Sequence, residues 1–412
     1  MATAASRPRL RPIETIVVPD SRLGRVLMLR DTQGVAETHA MLPMDLVPIV
    51  GRFDGTATCE EIARDVSREL GEKVPVELVV KLATELEEGL FADGAPYRRA
   101  RARIEAEFAN ADVRPASHAG GAYHGDAQKL GDYIREECFA KASDAAASTA
   151  PSGRLVGLVA PHIDPWRGAH NYGVAYGALA KAIPADADTF ILFGTSHAPM
   201  REPFALCRKA FDTPLGRVEA CKESIDAIAK ACDFDPYADQ FNHKREHSLE
   251  FQAVFLRHVL GSRPARIIPI LAGLGEQQSN GDDPASERSI ERFLDAVRRV
   301  AADKRAVVIA GADLAHVGPR FGDPRPLDER ERAKLDGVDR ESLDHAARSD
   351  ASGFWEHVQS DLETRRVCGL APIYALLRTI APGAKGHLGH YEQTVDPEEG
   401  SIVSHAAMGF YA

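Results

Sequence analysis

No stretch of apolar residues in this sequence approaches the roughly 20 positions that a membrane-spanning helix needs. The opening residues, MATAASRPRLRP, lack the apolar segment of a secretory signal, so we expect a cytoplasmic protein. The 6 cysteines are too few among 412 residues for a dense disulfide framework, and reduced thiols are expected. Glycine-rich phosphate loops and the G-x-S-x-G turn of serine hydrolases are missing as well. These absences argue against membrane proteins, disulfide-stapled scaffolds and the common nucleotide-binding or serine-dependent enzymes.

Positive charge is also scarce, because the sequence has 50 Lys and Arg but 61 Asp and Glu, which gives a net charge of −11. That balance argues against extensive binding to nucleic acid or to an anionic membrane. Hydrophobic residues make up 44% of the chain, enough for a sizeable core, and the length predicts two or three domains. What the sequence does contain is 15 histidines, whose positions bear most directly on function.

The first hundred residues have the pattern of a small α+β domain. Residues 14–18 and 25–30 are expected to form a strand hairpin. Thr58 is in position to cap a helix, and Glu61, three residues later, completes a capping box. A second helix is expected to begin near Pro75. A hairpin with compact helices is typical of a winged-helix-like arrangement.

Two runs in this segment, DGT-x-T-x-EEIA and ELEEGLFADG, resemble the PqqD-like domains, which bind a leader peptide for modifying enzymes. The resemblance implies a peptide-recognition domain over residues 1–95. A structural or dimerising appendage is the alternative. DNA binding is disfavoured, since residues 59–94 hold 4 Lys or Arg against 10 Asp or Glu, which is the wrong sign for contact with phosphates.

The rest of the chain alternates between strands and helices. Residues 96–112 are interpreted as an arginine-rich linker helix, and residues 141–153 as a loop of small polar residues. From residue 154 onward, four apolar runs have the pattern of buried strands: LVGLVA, TFILFG, RIIPILAG and AVVIAG. Helix-length segments separate them. We therefore predict, over residues 113–412, an α/β domain with a largely parallel sheet flanked by helices.

Histidines follow three of these predicted strands, at His162, His197 and His316. The carboxyl ends of parallel strands meet at one edge of a sheet, where ligands bind in open α/β folds. Three imidazoles at that edge predict a metal site, because neutral imidazole is a common ligand of transition metals. Two or three imidazoles with one anionic group suit Fe(II), Zn(II) or Cu. The anionic candidates are Asp164, Glu246, Asp313 and the thiolate of Cys368.

Two further segments carry candidate functional groups. Cys368 precedes a predicted apolar helix, whose N-terminus is expected to stabilise a thiolate and make it a better ligand. The alternative for Cys368 is a small core residue. In REHSLEFQ, Glu246 and Glu250 lie on one face of a predicted helix, and His247 is a candidate for proton transfer or for capping. A zincin is excluded because the second histidine of H-E-x-x-H is absent.

Seven segments, in order from residue 117 to the last strand, resemble the Memo family, also known as protein B of the AmmeMemoRadiSam system. They are SHAGGAYHGDAQKL, APH, FGTSHAP, REHSLEFQ, GADLAHVGPRF, VCGLAPIYALL and GHYEQT…SIVSHAAMG. The resemblance implies a fold similar to that of the class III extradiol dioxygenases, which hold Fe(II) with two His and one Glu. In Memo proteins a Cys stands at the position of that carboxylate.

The resemblance implies that His162, His197 and Cys368 are the metal ligands. The catalytic residues that it implies beside them are His316, His247 and Asp313. The implied cofactor is Fe(II), ahead of copper and then zinc, and the implied reaction is redox chemistry on oxygen species. The implied ligand is a small molecule or a peptide. The implied partner is a radical-SAM enzyme or another enzyme of the same system. A non-catalytic protein that binds a peptide or partner through a vestigial pocket is the alternative, since a thiolate is itself oxidisable.

One segment departs from the family pattern. Where many Memo proteins read APHAGY, residues 160–166 of this chain read APHIDPW. The ligand His162 is kept, and Asp164 is expected either to orient it as a hydrogen-bond acceptor or to offer the metal an oxygen.

Overall fold

The computed structural model describes residues 1–143, 153–273 and 281–412. The predicted loop over residues 141–153 lies for the most part outside these ranges. The chain forms two compact units, Met1–Asn110 and Ala111–Ala412. None of the helices in the described ranges is long and apolar enough to cross a membrane.

The first unit combines a three-stranded antiparallel sheet with helices. Its strands, in pairing order, are β1 (Glu14–Asp20), β2 (Gly24–Arg30) and β3 (Ala40–Pro43). Its α-helices are α1 (Val47–Val50), α2 (Cys59–Leu70), α3 (Val76–Glu88) and α4 (Ala95–Asn110). The predicted hairpin is confirmed by the pairing of β1 with β2. The winged-helix-like and PqqD-like interpretations stay predictions.

The capping box predicted at the start of α2 is present. The Thr58 hydroxyl accepts a hydrogen bond from the backbone N–H of Glu61 at 3.2 Å. In return, the Glu61 carboxylate accepts one from the backbone N–H of Thr58 at 2.7 Å. Two of the N–H groups that a helix start leaves without partners are satisfied in this way.

The second unit is built on a nine-stranded mixed sheet. Its strands are β5 (Leu155–Ala160), β6 (Thr189–Thr195), β7 (Phe204–Leu206), β9 (Glu219–Ala220), β10 (Arg266–Ala272), β11 (Val307–Gly311), β12 (Asp313–Val317), β13 (Lys385–Val395) and β14 (Ile402–Tyr411). The order is β12-β14-β5-β11-β6-β10-β7, with β13 beside β14 and β9 beside β10. A separate pair consists of β4 (Val113–Arg114) and β8 (Ala210–Phe211).

The prediction of a largely parallel sheet is wrong in part. The four central strands β5, β11, β6 and β10, which are the four predicted from the sequence, do run parallel. However, β14 runs antiparallel to β5, β12 and β13, and β7 runs antiparallel to β10. A short connection between β13 and β14 forces them to run antiparallel. Every residue of β14 is buried, so its sequence lacks the alternation of a solvent-facing antiparallel strand.

Helices cover both faces of the sheet. They are α5 (Ala127–Tyr133), which continues into a π-helical turn (Ile134–Phe139), α6 (Ala140–Ser143), α7 (Pro165–Ala182), α8 (Lys222–Ala229), α9 (His247–Leu260), α10 (Arg288–Asp303), α11 (Glu329–Ala347), α12 (Ala351–Gln359), α13 (Leu362–Arg365) and α14 (Leu370–Thr379). Alternate residues of β6 enter two hydrophobic clusters, Ile191 and Phe193 in one, Phe190 and Leu192 in the other. The central strands are therefore buried on both faces.

Two glycines let α9 approach the sheet very closely. Gly194 and Gly311 are paired neighbours near the carboxyl ends of β6 and β11. A Cβ atom on Gly194 would lie 2.5 Å from the Ser248 hydroxyl oxygen, and one on Gly311 would lie 2.3 Å from the Ser248 carbonyl oxygen. Any side chain at either position would push the first turn of α9 away from the strand ends.

Replacement of Gly311 by Ala is expected to destabilise the second unit by about 1–3 kcal/mol, because the added methyl group overlaps a backbone oxygen. Gly177→Ala in α7 is the matched control, since a Cβ there meets nothing within 4 Å. Alanine has the better helix propensity, so the control is expected to gain about 0.5–1 kcal/mol. Urea unfolding of the full chain measures both changes, and equal midpoints for the two variants would contradict the close-approach argument.

Candidate metal centre

Three side chains with donor atoms suited to a metal converge at the carboxyl edge of the sheet. His162 follows β5, His197 follows β6, and Cys368 lies just before α14. One nitrogen from each imidazole and the Cys368 sulfur all lie within 4.8 Å of one another. The Cys368 sulfur is 3.2 Å from Nε2 of His162. The structure therefore brings together the three residues that the sequence predicts as ligands.

Both imidazoles are fixed by hydrogen bonds at Nδ1. In His162 this nitrogen lies 2.9 Å from the Gly311 carbonyl oxygen, and in His197 it lies 3.0 Å from the Glu246 carboxylate. Because these partners can only accept, Nδ1 carries the hydrogen and Nε2 is left as the donor to a metal. Outer partners of this kind set the ring orientation of metal-binding histidines.

Asp313 holds His162 from a second direction. Its carboxylate accepts the backbone N–H of His162 at 2.9 Å, and its other oxygen lies 3.7 Å from Nε2 of the ring. Burial raises the pKa of Asp313, but the neighbouring imidazoles, His162 first, outweigh burial and leave it below its usual value. Asp313 is therefore a buried carboxylate beside the donor group, where the sequence predicts it.

The Cys368 thiol does not behave as its place before a helix predicts. Burial, followed by the nearby charges of Asp313 and Glu246, raises its pKa well above the usual value. The prediction that the helix N-terminus stabilises a thiolate is wrong for the metal-free protein, because burial and the neighbouring carboxylates disfavour the anion. A cation bound beside the sulfur favours the thiolate, as it does for any coordinating thiol.

Glu246 connects the sheet edge to α9. Its carboxylate accepts hydrogen bonds from the backbone N–H of His197 at 2.9 Å and of Ser248 at 3.0 Å, so it caps the helix. The cap is thus Glu246 and not His247. Burial raises the pKa of Glu246, but the His197 and His247 imidazoles hold it well below its usual value.

A second cluster of donors, His197, Glu246 and His247, overlaps the first. Its atoms are close because the Glu246 carboxylate lies 3.0 Å from Nδ1 of His197 and 3.4 Å from Nδ1 of His247. A metal in this cluster would have to replace the contacts that orient both imidazoles, whereas a metal between His162, His197 and Cys368 leaves the Nδ1 contacts of its two imidazoles in place. The first group therefore fits a metal better.

Of the two imidazoles predicted to be catalytic, His247 packs against both donor histidines, and His316 lies on β12, the strand that begins with Asp313. The His247 ring stacks on that of His197, with centroids 4.5 Å apart, and burial lowers its pKa well below the usual value. His316, on β12, has its pKa lowered to about 4, mainly by burial. Its Nδ1 lies 3.2 Å from the Leu314 carbonyl oxygen. Both rings are neutral near pH 7.

Asp164 has a different place from the one expected. Its carboxylate accepts the backbone N–H of Arg167 at 3.2 Å and so caps α7, and it pairs with the Arg167 guanidinium at 2.5 Å. These local bonds occupy the carboxylate, and it belongs to neither donor cluster. The expectation that Asp164 orients His162 or ligates the metal is therefore wrong.

Comparison with known proteins identifies the family. The sequence model described as "Memo-like protein" matches residues 114–409, which include every residue of the donor group. The chain belongs to the Memo family. Its relatives there include the MEMO1 family proteins of three organisms: Aquifex aeolicus (26% identical, covering 94% of this chain and 96% of that protein), Thermus thermophilus (30%, 65% and 73%) and Methanosarcina mazei (28%, 62% and 85%).

The Aquifex match covers so much of this Memo chain that it includes most of the first unit, Met1–Asn110. Among solved structures, an uncharacterized protein from Escherichia coli K12 aligns with 62% of this chain and 99% of its own length. Its sequence is 12% identical and the TM-score is 0.35.

A buried ion pair behind the metal centre of this Memo protein is not evident from its sequence. The guanidinium of Arg114 pairs with the Glu250 carboxylate, and both side chains are completely buried. Burial raises the pKa of Glu250, but the Arg114 charge, the largest opposing effect, keeps it far below its usual value. Arg114 also donates to the Glu246 carbonyl oxygen at 3.0 Å. The pair thus fixes the start of α9.

Three more residues donate hydrogen bonds to the same carboxylate. Glu250 accepts hydrogen bonds from the Tyr123 hydroxyl, from the Ser117 hydroxyl at 2.8 Å and from the backbone N–H of His118 at 2.9 Å. All three belong to the SHAGGAYHGDAQKL segment. The segment and the four-residue spacing from Glu246 to Glu250 are visible in the sequence, but the contact between them is not.

Single changes in the pair, Glu250→Leu or Arg114→Met, are each expected to lower the free energy of unfolding by about 3–5 kcal/mol, because each leaves a buried charge without its partner. The double variant is expected to lose less than the sum of the two. Asp212→Asn, in an ion pair with Arg217 whose side chains are 43% and 49% exposed, is the control and is expected to change stability by less than about 1 kcal/mol. Additive losses in urea unfolding would contradict the coupling.

Proposed function

We propose that this Memo protein binds a redox-active metal ion through His162, His197 and Cys368 and is a metal-dependent oxidoreductase related to the extradiol dioxygenases. The observation that carries the proposal is the convergence of these three donors within 4.8 Å, with each imidazole already oriented by an outer acceptor. A bound metal would supply Lewis-acid and one-electron chemistry toward oxygen species.

The donor set narrows the choice of metal. Two imidazoles and a thiolate suit Fe(II), copper and zinc, and they do not suit magnesium or calcium, which prefer oxygen ligands. Two histidines with one anionic ligand leave positions open for a substrate, as in non-haem Fe(II) enzymes. We propose Fe(II) first, copper second and zinc third.

The neighbouring residues have distinct proposed roles. His247 and His316 are the proposed acid–base residues, because imidazole is the side chain that most often transfers protons in enzymes. Asp313 holds the backbone of His162 in place. The substrate proposed is a small molecule or a peptide.

His162→Ala and Cys368→Ala are each expected to lose most of the metal that the unaltered chain takes up, about one ion per chain, because one missing ligand of three cannot be replaced locally. His170→Ala is the matched control, since this histidine lies outside both donor clusters. Metal analysis after anaerobic purification measures the three variants beside the unaltered chain. Full metal content in H162A and C368A would contradict the ligand assignment.

A second candidate function is peptide or partner binding by the first unit. Strand β3 is an edge of its sheet and carries Met41, 48% exposed, followed by Met44, 42% exposed. An edge strand can pair with an extended peptide, and exposed methionines suit an adaptable contact. This edge supports peptide binding by residues 1–95, the role implied by their resemblance to PqqD-like domains. We propose as partner a radical-SAM or other enzyme of an AmmeMemoRadiSam system, and as location the cytoplasm.

Met41→Lys is expected to abolish binding of peptides selected from a displayed library against the full chain, because it places a charge on the edge that the peptide would extend. Leu23→Lys is the control, since Leu23 is 58% exposed but lies in the turn between β1 and β2. Equal binding by both variants would contradict peptide recognition at β3. A metal-loaded chain that binds peptide but consumes no oxygen with any of a panel of substrates would favour this function over catalysis.

A further inference from the structure

Four imidazoles form a connected group that contains the two proposed metal-binding histidines and, at its outer end, a histidine with no role assigned so far. From His162 to His197 the ring centroids are 5.2 Å apart, from His197 to His247 4.5 Å, and from His247 to His118 5.7 Å. His118 lies outside both donor clusters. It is therefore the outer neighbour of the metal centre.

His118 is held in the same way as the ligand His197. In each case one glutamate of the pair at the start of α9 accepts both the backbone N–H and Nδ1 of the histidine. For His118 the partner is Glu250, at 2.9 Å from the backbone nitrogen and 2.9 Å from Nδ1. For His197 the partner is Glu246, at 2.9 and 3.0 Å. Two carboxylates four residues apart thus hold two imidazoles that both contact the His247 ring.

The second nitrogen of the His118 ring faces away from Glu250. The Glu250 carboxylate has no hydrogen to give, so Nδ1 of His118 carries the hydrogen, and Nε2 is the ring nitrogen that can accept a hydrogen bond. No side chain or backbone group in the described part of the chain hydrogen-bonds this Nε2. The side chain is 23% exposed, so the ring is accessible to a small molecule.

The support behind His118 is rigid. Glu250 is fully buried and is bound by Arg114, Ser117 and Tyr123 as well as by His118. Such a network restricts the imidazole to one orientation before any ligand arrives, which lowers the entropy lost on binding.

We propose that His118 contacts the substrate directly and accepts, through Nε2, a hydrogen bond from a hydroxyl group of a molecule bound at the metal, with Glu250 and Arg114 as positioning residues. The inference rests on the proposed metal function. It assigns a chemical class to the substrate, a molecule that carries a hydroxyl group.

The test compares two probes on the anaerobic, Fe(II)-loaded full chain. The first is 4-nitrocatechol, which has hydroxyl groups, and the second is nitric oxide, which has no hydrogen to donate. His118→Phe is expected to keep its iron and to bind 4-nitrocatechol about tenfold more weakly, the effect of one hydrogen bond, with unchanged affinity for nitric oxide. His124→Phe is the control, since His124 lies in the same segment but packs against Tyr133 and Trp166.

Three results would overturn the assignment of His118. They are unchanged 4-nitrocatechol affinity in H118F, an equal loss of affinity for both probes, and loss of iron from a folded H118F chain. An unaltered chain that takes up no iron would instead contradict the proposed function, and the inference would fall with it. The iron content of the unaltered chain, measured first, separates that failure from the other three.

Discussion

The hydrogen bonds of the Glu246 carboxylate determine the geometry of the candidate metal centre. This one group caps α9 at Ser248 and holds both the backbone and Nδ1 of His197. It can do so only because the helix start lies directly on the strand ends, where Gly194 and Gly311 leave room. The packing of one helix turn against two glycines therefore fixes the position of His197, a proposed ligand that follows β6.

The charges of the centre favour a cation. Glu246 and Asp313 are buried carboxylates whose pKa values lie below the usual ones. In the described ranges, the ion-pair partners of these two carboxylates are histidines, and no Lys or Arg side chain pairs with either. Burial lowers the pKa of His162 and His247, so the rings that face the carboxylates carry little positive charge. A divalent ion would offset two buried negative charges and convert the Cys368 thiol to a ligand.

The sequence predicts the proposed ligands better than it predicts the residues that hydrogen-bond behind them. His162 and His197 follow apolar strands whose carboxyl ends must meet, and resemblance to the Memo family adds Cys368. The contact between Arg114 and Glu250 joins residues 136 positions apart, and no local pattern indicates it. His118 is missed for the same reason. Asp164 is misassigned because its carboxylate pairs with the Arg167 guanidinium in the first turn of α7 and so does not bind His162 or a metal. The resemblance to other Memo proteins does not indicate this pairing.

In the fold, too, features set by neighbouring residues are predicted from the sequence, and features set by contacts between distant residues are not. The four central strands are evident from their apolar runs, and the capping box of Thr58 and Glu61 from its spacing. The direction of β14 depends on which strand it joins, and its fully buried residues are equally compatible with a parallel neighbour. Long-range pairing, not local propensity, decides both the mixed sheet and the network behind the centre.

X-ray absorption at the metal edge of the loaded full chain tests the central claim most directly. The account predicts one sulfur neighbour together with imidazole nitrogens, contributed by Cys368, His162 and His197, and loss of the sulfur signal in C368S. A metal surrounded only by oxygen and nitrogen in the unaltered chain would contradict the assignment of the centre.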